Sequence, residues 1–228
     1  MKLPLLKKLQ QARADKIPVA LVTLLGSGKQ CLVYADELVG TELTLNAPQL
    51  DEVRKQLRTA RSGVLADGEL FARSYVPDYR LLIVGAVHVA QSLVALALEC
   101  GYQVTVIDPR RAFATQERFR NVELCTQWPD EAMVRLAPDA QTAVVTLAHD
   151  PKIDDPALIA ALNSQAFYIG ALGSSRTHAK RVERFTQQGL GDQLARIHAP
   201  IGLNLGGRSH AEIALSILAQ LVQTRYRA

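Results

Sequence analysis

The chain has 228 residues and a mass of 24.9 kDa, a length that predicts one or two domains with a sizeable buried core. Hydrophobic residues make up 48% of the chain and charged residues 21%, which excludes a disordered or low-complexity protein. The 26 basic and 22 acidic side chains give a net charge of +4, which suits an anionic ligand but is too small to indicate a nucleic-acid binder.

The first 78 residues predict a small α+β module. Apolar positions at helical spacing indicate an amphipathic helix at the start, and Pro48 favours a second helix that begins at Asn46. Apolar and β-branched runs bounded by turn residues predict the strands. The predicted helices are 2–15 and 46–60, and the predicted strands are 17–25, 31–34, 38–45, 64–65 and 70–76.

The periodicity changes after Pro77, and we place a domain boundary near residue 78. Short, wholly apolar runs then alternate with helical stretches, which is typical of a parallel sheet with helices on both faces. The predicted fold class is therefore α/β, with a Rossmann-like domain at residues 79–228 preceded by the α+β module at residues 1–78. The predicted strands of this domain are 81–84, 103–107, 121–124, 142–147 and 166–169, and the helices are 88–100, 130–136, 154–163, 174–188 and 209–225.

A turn of the dinucleotide-binding type follows the first strand of this domain. Gly85 and His88 open the next helix, and Asp108 ends the second strand, where an acidic side chain would bond a ribose hydroxyl. The usual pattern has glycine at position 87, and the Val87 side chain would push a pyrophosphate away. The turn therefore predicts either a dinucleotide site or a nucleotide-type fold that binds no nucleotide.

Polar residues also follow the fourth strand of the domain. Because ligands of open α/β sheets bind at the carboxyl ends of the strands, His149 and Asp150 are candidate ligand contacts. The alternative is a structural loop in which Asp154 or Asp155 caps the next helix.

A glycine-rich turn after the fifth strand predicts an anion site. Backbone amides, hydroxyls and a guanidinium converge there at a helix start, which suits a phosphate. Lys180 and Arg184 lie on the same helical stripe as the arginine of this turn, and we expect these two on a solvated face. The candidate anion-binding residues are Gly170, Gly173, Ser174, Ser175 and Arg176.

The loop before the last helix combines glycines with basic side chains. His198, Gly206 and Arg208 are candidate binding residues, and a purely structural loop is the alternative. Ser209 and Glu212 have the spacing of a capping box at the start of the last helix.

The three cysteines show no CxxC spacing and indicate a reducing, cytoplasmic compartment. Cys100 is expected in the core and Cys125 at a strand end, whereas the pattern allows exposure of Cys31. The first residues lack the apolar core of a signal peptide, and no apolar stretch is long enough for a membrane helix. The five histidines show no metal-ligand spacing, so no metal site is predicted.

Six blocks of the carboxy-terminal domain together resemble the XdhC/CoxI family, the accessory factors of xanthine dehydrogenase and related molybdenum hydroxylases. The resemblance covers residues 80–225, and the blocks YIGALGSSR and RIHAPIGL are highly specific to the family. The blocks lie at residues 82–91, 104–110, 149–150, 168–176, 196–207 and 213–221.

The resemblance implies a chaperone and not a metabolic enzyme. Members of the family bind the molybdenum cofactor, as molybdopterin or its dinucleotide, and protect it from oxidation. They support its sulfuration with a cysteine desulfurase and insert it into the apo-hydroxylase. The chain departs from the family at Val87, where the first turn usually has glycine. It departs again around Cys31, which lacks the family's Gly-Gly-Cys context and therefore receives no role.

An NAD(P)-binding oxidoreductase of Rossmann type is the alternative function. It is motivated by Gly85 together with Asp108, while Val87 and the lack of a clear proton donor count against it. A homodimer is the expected assembly, and neither nucleic acid nor a membrane is an expected partner.

Overall fold

The computed structural model describes residues 2–40 and 42–227. The chain forms two compact units and passes from one to the other between Pro77 and Asp78. The first unit contains an antiparallel sheet and the second a parallel sheet covered by helices, so the predicted fold class is confirmed. None of the described helices is long and apolar enough to cross a membrane.

The amino-terminal unit is a five-stranded antiparallel sheet with a helix on each face. Side chains of the central strand alternate between the faces, so Ala20 and Val22 pack with one helix, and Val19 and Leu21 pack with the other. The elements are α1 (Leu3–Ala14), β1 (Val19–Leu24), β2 (Gln30–Val33), β3 (Leu38–Val39), α2 (Ala47–Arg58), β4 (Gly63–Val64) and β5 (Leu70–Tyr75). The strand order is β3-β2-β1-β5-β4.

Two features of this unit differ from the sequence pattern. The strand predicted at 38–45 ends at Val39, and Thr41 of that prediction lies outside the described residues. Cys31, for which the pattern allowed exposure, is fully buried in β2, and burial raises the pKa of its thiol to about 11. The thiol is therefore protonated at neutral pH, where it is a poor nucleophile.

The carboxy-terminal unit contains a six-stranded sheet in which every strand pairing is parallel. Its elements are β6 (Arg80–Val84), α3 (His88–Glu99), β7 (Gln103–Ile107), β8 (Glu123–Cys125), α4 (Pro129–Leu136), β9 (Thr142–Thr146), α5 (Pro151–Leu162), β10 (Tyr168–Ala171), α6 (Ser175–Gln187), a 3-10 helix (Gly191–Arg196), β11 (Ile197–His198) and α7 (His210–Arg227). The strand order β11-β10-β9-β6-β7-β8 is that of dinucleotide-binding sheets. The Rossmann-like prediction is confirmed.

Strand β6 supplies side chains to two cores, one on each face of the sheet. Leu81 and Ile83 pack with α3 and α7, whereas Leu82 and Val84 pack with α4 and α5. Because helices cover both faces, this strand has no polar side, which explains the unbroken apolar run that predicted it.

The structure contains two short elements that the sequence did not predict. The 3-10 helix leads into β11, whose Ile197 and His198 pair with Ile169 and Gly170 of β10. A strand of two residues is too short to produce a periodic pattern, so its position is set by this pairing.

Two predictions at helix ends are wrong. The helix predicted at 154–163 begins at Pro151, a residue type that suits the first turn because its missing N–H has no partner there in any case. Cys100, expected in the core, is exposed because it lies one residue beyond the end of α3.

The close approach of β6 and β9 at their carboxyl ends requires glycine at position 85. Gly85 has a φ of +107°, and a Cβ atom there would lie 2.6 Å from the amide nitrogen of Ala148. A side chain would therefore combine an unfavourable backbone conformation with a backbone clash.

We expect Gly85→Ala to lower the free energy of unfolding by about 3–4 kcal/mol, the sum of the left-handed strain and the clash. Gly101 is the matched control, since its φ is +79° and nothing lies within 4 Å of a Cβ placed there. Gly101→Ala should cost only the strain, about 1–2 kcal/mol. Urea unfolding measures both variants, and equal losses would contradict the clash.

Candidate functional site

The carboxyl ends of the parallel strands form one edge of the sheet, and most of the predicted site residues lie there. The chain runs outward in opposite directions from β6 and β9, which makes the crevice between these strands the switch point of the sheet. Gly85 follows β6 and His149 follows β9, so both border this crevice. His149 is exposed, with a left-handed φ of +60°.

Asp108 is fully buried behind the first turn, and both of its carboxylate oxygens are occupied. The Ala86 amide donates to Oδ2 at 2.8 Å, and the Arg110 amide donates to Oδ1 at 2.9 Å. The Arg110 guanidinium adds one bond to each oxygen, at 2.9 and 2.8 Å. Burial would raise the pKa of Asp108, but these hydrogen bonds hold it below its ordinary value. The carboxylate thus holds the turn together and is not presented to a ribose hydroxyl.

The first turn leaves the start of α3 without a side-chain cap. Val87 is the N-cap residue in an extended conformation, and its side chain packs against the core below α3 and α7. His88 is exposed and stacks on His210, the first residue of α7, with ring centroids 5.3 Å apart. The sequence did not single out His210, because only the packing of α3 on α7 brings it to the site edge.

Of the acidic residues after β9, Asp150 caps a helix and Asp154 is buried. Asp150 caps α5, since its side chain accepts a hydrogen bond from the Lys152 amide at 3.0 Å. The alternative caps, Asp154 and Asp155, lie within the helix, so that expectation is wrong. Asp154 is only 2% exposed and accepts a hydrogen bond from the Ala148 amide at 3.2 Å. Burial raises the pKa of Asp154 to about 7.

The glycine-rich turn after β10 contains both structural and exposed residues. Gly170 is buried within β10, and a Cβ there would lie 2.4 Å from the Ile201 side chain, so packing already requires glycine at this position. Ser174 caps α6, accepting a hydrogen bond from the Thr177 amide at 3.2 Å. Gly173 has a φ of +148° and packs against the Thr177 side chain. Ser175 and Arg176 are exposed in the first turn of α6.

The three candidate binding residues before α7 lie in different surroundings. His198 belongs to β11 and stacks on Tyr168 with ring centroids 4.7 Å apart, and burial lowers its pKa, which favours the neutral imidazole. Gly206 and Arg208 are exposed. The predicted capping box is confirmed by hydrogen bonds in both directions between Ser209 and Glu212.

A cleft of about 520 Å³ opens between α5 and α6 at the site edge. Of the predicted site residues, His149 and Arg176 line it, and Lys180 and Arg184 join them. Lys180 is exposed as expected, but Arg184 donates two hydrogen bonds to Asp155, at 2.8 and 3.1 Å, and is not simply solvated.

The sequence did not identify Arg181, which also lines this cleft. Its side chain is on the buried face of α6, four residues before the fully buried Phe185, and Arg181 is only 3% exposed. The sequence could have marked Arg181 as unusual, because it is an arginine at a core position of an amphipathic helix. The prediction considered only the stripe of Arg176, Lys180 and Arg184, and Arg181 lies off that stripe.

We expect Asp108→Asn to lower the free energy of unfolding by about 2–4 kcal/mol, since it leaves buried donors without an anionic acceptor. The exposed Asp130 provides the control, and Asp130→Asn should change the value by less than about 1 kcal/mol. Chemical unfolding measures both variants without ligand. If Asp108→Asn had no effect there, its role in holding the turn would be wrong.

Asp154 should make the folded state less stable as the pH rises. Its pKa is about 7 in the folded protein and 3.8 as the ordinary value, so between these values the folded state binds more protons than the unfolded one. Asp154→Asn removes this dependence. Relative to wild type, the variant should gain about 1 kcal/mol of unfolding free energy per pH unit between pH 5 and 7. Urea unfolding across this range is the measurement, and a constant difference would contradict the burial effect.

Comparison with known proteins gives the family of the chain. The family model of the XdhC Rossmann domain matches residues 81–221. The molybdenum cofactor insertion chaperone PaoD of Escherichia coli (strain K12) is 31% identical over 156 residues, which are 68% of this chain and 43% of PaoD. A probable xanthine dehydrogenase subunit of Bacillus subtilis (strain 168) is 29% identical over 159 residues, 69% of this chain and 46% of that protein. The chain thus spans less than half the length of these curated relatives.

A solved structure shows the same fold. The crystal structure of a xanthine dehydrogenase from Bacillus halodurans superimposes with a TM-score of 0.67 and 24% identity, covering 96% of this chain and 65% of that one. The family model spans most of the parallel-sheet unit, and its match confirms the resemblance drawn from the six sequence blocks. The chain belongs to the XdhC family through its Rossmann domain.

Proposed function

We propose that this chain is a molybdenum-cofactor chaperone that binds the cofactor, protects it and inserts it into an apo molybdenum hydroxylase of the xanthine dehydrogenase type. Membership of the XdhC family supports this proposal, as does the similarity to a protein named as a molybdenum cofactor insertion chaperone. The proposal extends to sulfuration of the bound cofactor with a cysteine desulfurase, and to a homodimer in the cytoplasm.

The observation that carries the proposal is the basic cleft between α5 and α6, at the carboxyl edge of the parallel sheet. Arg176 and Lys180 are exposed on the first two turns of α6, whose amides carry partial positive charge, and this arrangement suits the phosphate of a pterin. The cofactor supplies the molybdenum chemistry of the client enzyme. The proposed task of this chain is to hold the anionic end of the cofactor and shield the rest.

The oxidoreductase alternative loses its main support in the geometry of the first turn. Asp108 is saturated by Ala86 and Arg110, so it lacks a free oxygen for a ribose hydroxyl. Val87 still occupies the position where the dinucleotide pattern has glycine. We therefore favour a carrier of the cofactor over an enzyme that uses a nicotinamide.

The proposal predicts pterin in the protein purified from a host that makes the molybdenum cofactor. Oxidation converts bound pterin into a fluorescent product, which is quantified against an unrelated protein from the same host. We expect Arg176→Ala to reduce the pterin content at least several-fold, because it removes an exposed cation from the cleft. Arg120→Ala, which removes the same charge from an exposed loop position, should leave the content unchanged.

Activation of an apo molybdenum hydroxylase is the second measurement. The wild-type chain loaded with pterin should increase the fraction of active hydroxylase over that obtained with an equal amount of Arg176→Ala. A wild-type protein with no pterin above the unrelated control, and no effect on hydroxylase activation, would overturn the proposed function.

A further inference from the structure

The cleft between α5 and α6 is lined by a buried guanidinium, that of Arg181. Arg181 is 3% exposed, and its Nε and Nη1 atoms have no hydrogen-bond partner among residues 2–40 and 42–227. A buried charged donor without a partner costs several kcal/mol, because the lost hydration is not replaced. A protein retains such a group readily where a ligand supplies the missing acceptors.

The two nearby carboxylates compensate the charge of Arg181 only in part. Asp155 accepts two hydrogen bonds from Arg184, and its Oδ1 lies 3.8 Å from Arg181 Nε, beyond hydrogen-bond range. Asp154 accepts a hydrogen bond from the Ala148 amide, and its burial favours the neutral acid. The positive charge of Arg181 is therefore only partly balanced by the protein itself.

The charge around the cleft adds to this imbalance. Four cationic side chains and two carboxylates line it, a net charge of +2 when both acids are ionised. Two of the cations, Arg176 and Lys180, are exposed at the mouth, whereas Arg184 is held by Asp155. The N-terminus of the 13-residue helix α6 lies beside them and also favours an anion.

We propose that this cleft binds a phosphate monoester, with Arg181 as its buried anchor and Arg176 and Lys180 as its exposed contacts. Phosphate oxygens are strong acceptors and match arginine donors at close range. The proposal deepens the proposed function, on which it rests for the identity of the natural ligand as a pterin phosphate. The same chemistry would also accept the phosphate of a nucleotide, and the experiment separates the two sources.

Titration calorimetry with inorganic phosphate tests the site directly, using the full chain in a phosphate-free buffer. We expect wild-type protein to bind phosphate and Arg181→Met to bind it at least tenfold more weakly. Methionine keeps the length of the stem without the charge, and replacing a buried charge with an apolar group is often neutral or stabilising. Arg120→Met, at an exposed loop position, is the matched control and should bind like wild type.

A second variant and a second measurement guard against a folding defect. Circular dichroism should show a folded Arg181→Met protein whose melting temperature phosphate no longer raises, whereas phosphate raises that of wild type. Arg181→Lys keeps the charge but loses the arginine fork, so it should recover only part of the affinity. Failure of wild type to bind phosphate, or equal binding by wild type and Arg181→Met, would overturn the proposed site.

Pterin content separates this proposal from the proposed function. Arg181-dependent phosphate binding together with pterin lost from Arg181→Met supports both proposals. Arg181-dependent phosphate binding by a wild-type protein that carries no pterin and does not activate the apo-hydroxylase supports the site and assigns it to another phosphate, such as that of a nucleotide. The same result overturns the proposed function. Pterin present in equal amounts in wild type and Arg181→Met, above the level in the unrelated control protein, overturns the anchor role of Arg181 and leaves the chaperone function standing.

Discussion

The edge of the parallel sheet depends on the Asp108 carboxylate, which joins the end of β7 to the turn that follows β6. Its oxygens accept hydrogen bonds from Ala86 and Arg110, so the carboxylate fixes both chain segments without any ligand. Next to this turn, Gly85 lets the backbone come against Ala148. The ends of three neighbouring strands are therefore tied together into one rim, after which α3 and α5 begin.

Features with local causes could be predicted from the sequence. The apolar run of β6 predicted a strand buried on both faces, and the spacing of Ser209 and Glu212 predicted the capping box at the start of α7. Each of these patterns arises within a few residues of chain, where periodicity and helix-end hydrogen bonding determine the outcome. The family blocks then identified the ligand class that the Rossmann domain is proposed to bind.

Features that depend on contacts between distant segments could not be predicted. Asp108 stands where the dinucleotide-binding pattern has the acidic residue that bonds a ribose hydroxyl. In the folded protein its oxygens accept hydrogen bonds from Arg110 instead, and the sequence pattern gave no sign of this pairing. Gly170 has Ile201 packed against it, a contact between distant segments that requires a glycine and that the local sequence does not show. Arg181 is buried because of how α6 packs in the fold. The spacing of basic residues along α6 does not reveal this burial.

The exposure of Cys100 gives this protein a single convenient point of attachment. Cys31 and Cys125 are buried, so a thiol-reactive dye added to the folded chain should modify Cys100. Helix α3 starts at the carboxyl edge of the parallel sheet and runs back along the sheet, which puts Cys100 at its far end, about 18 Å along the helix axis from His88. A fluorophore or a surface linker placed there leaves the carboxyl edge of the sheet and the cleft between α5 and α6 unmodified.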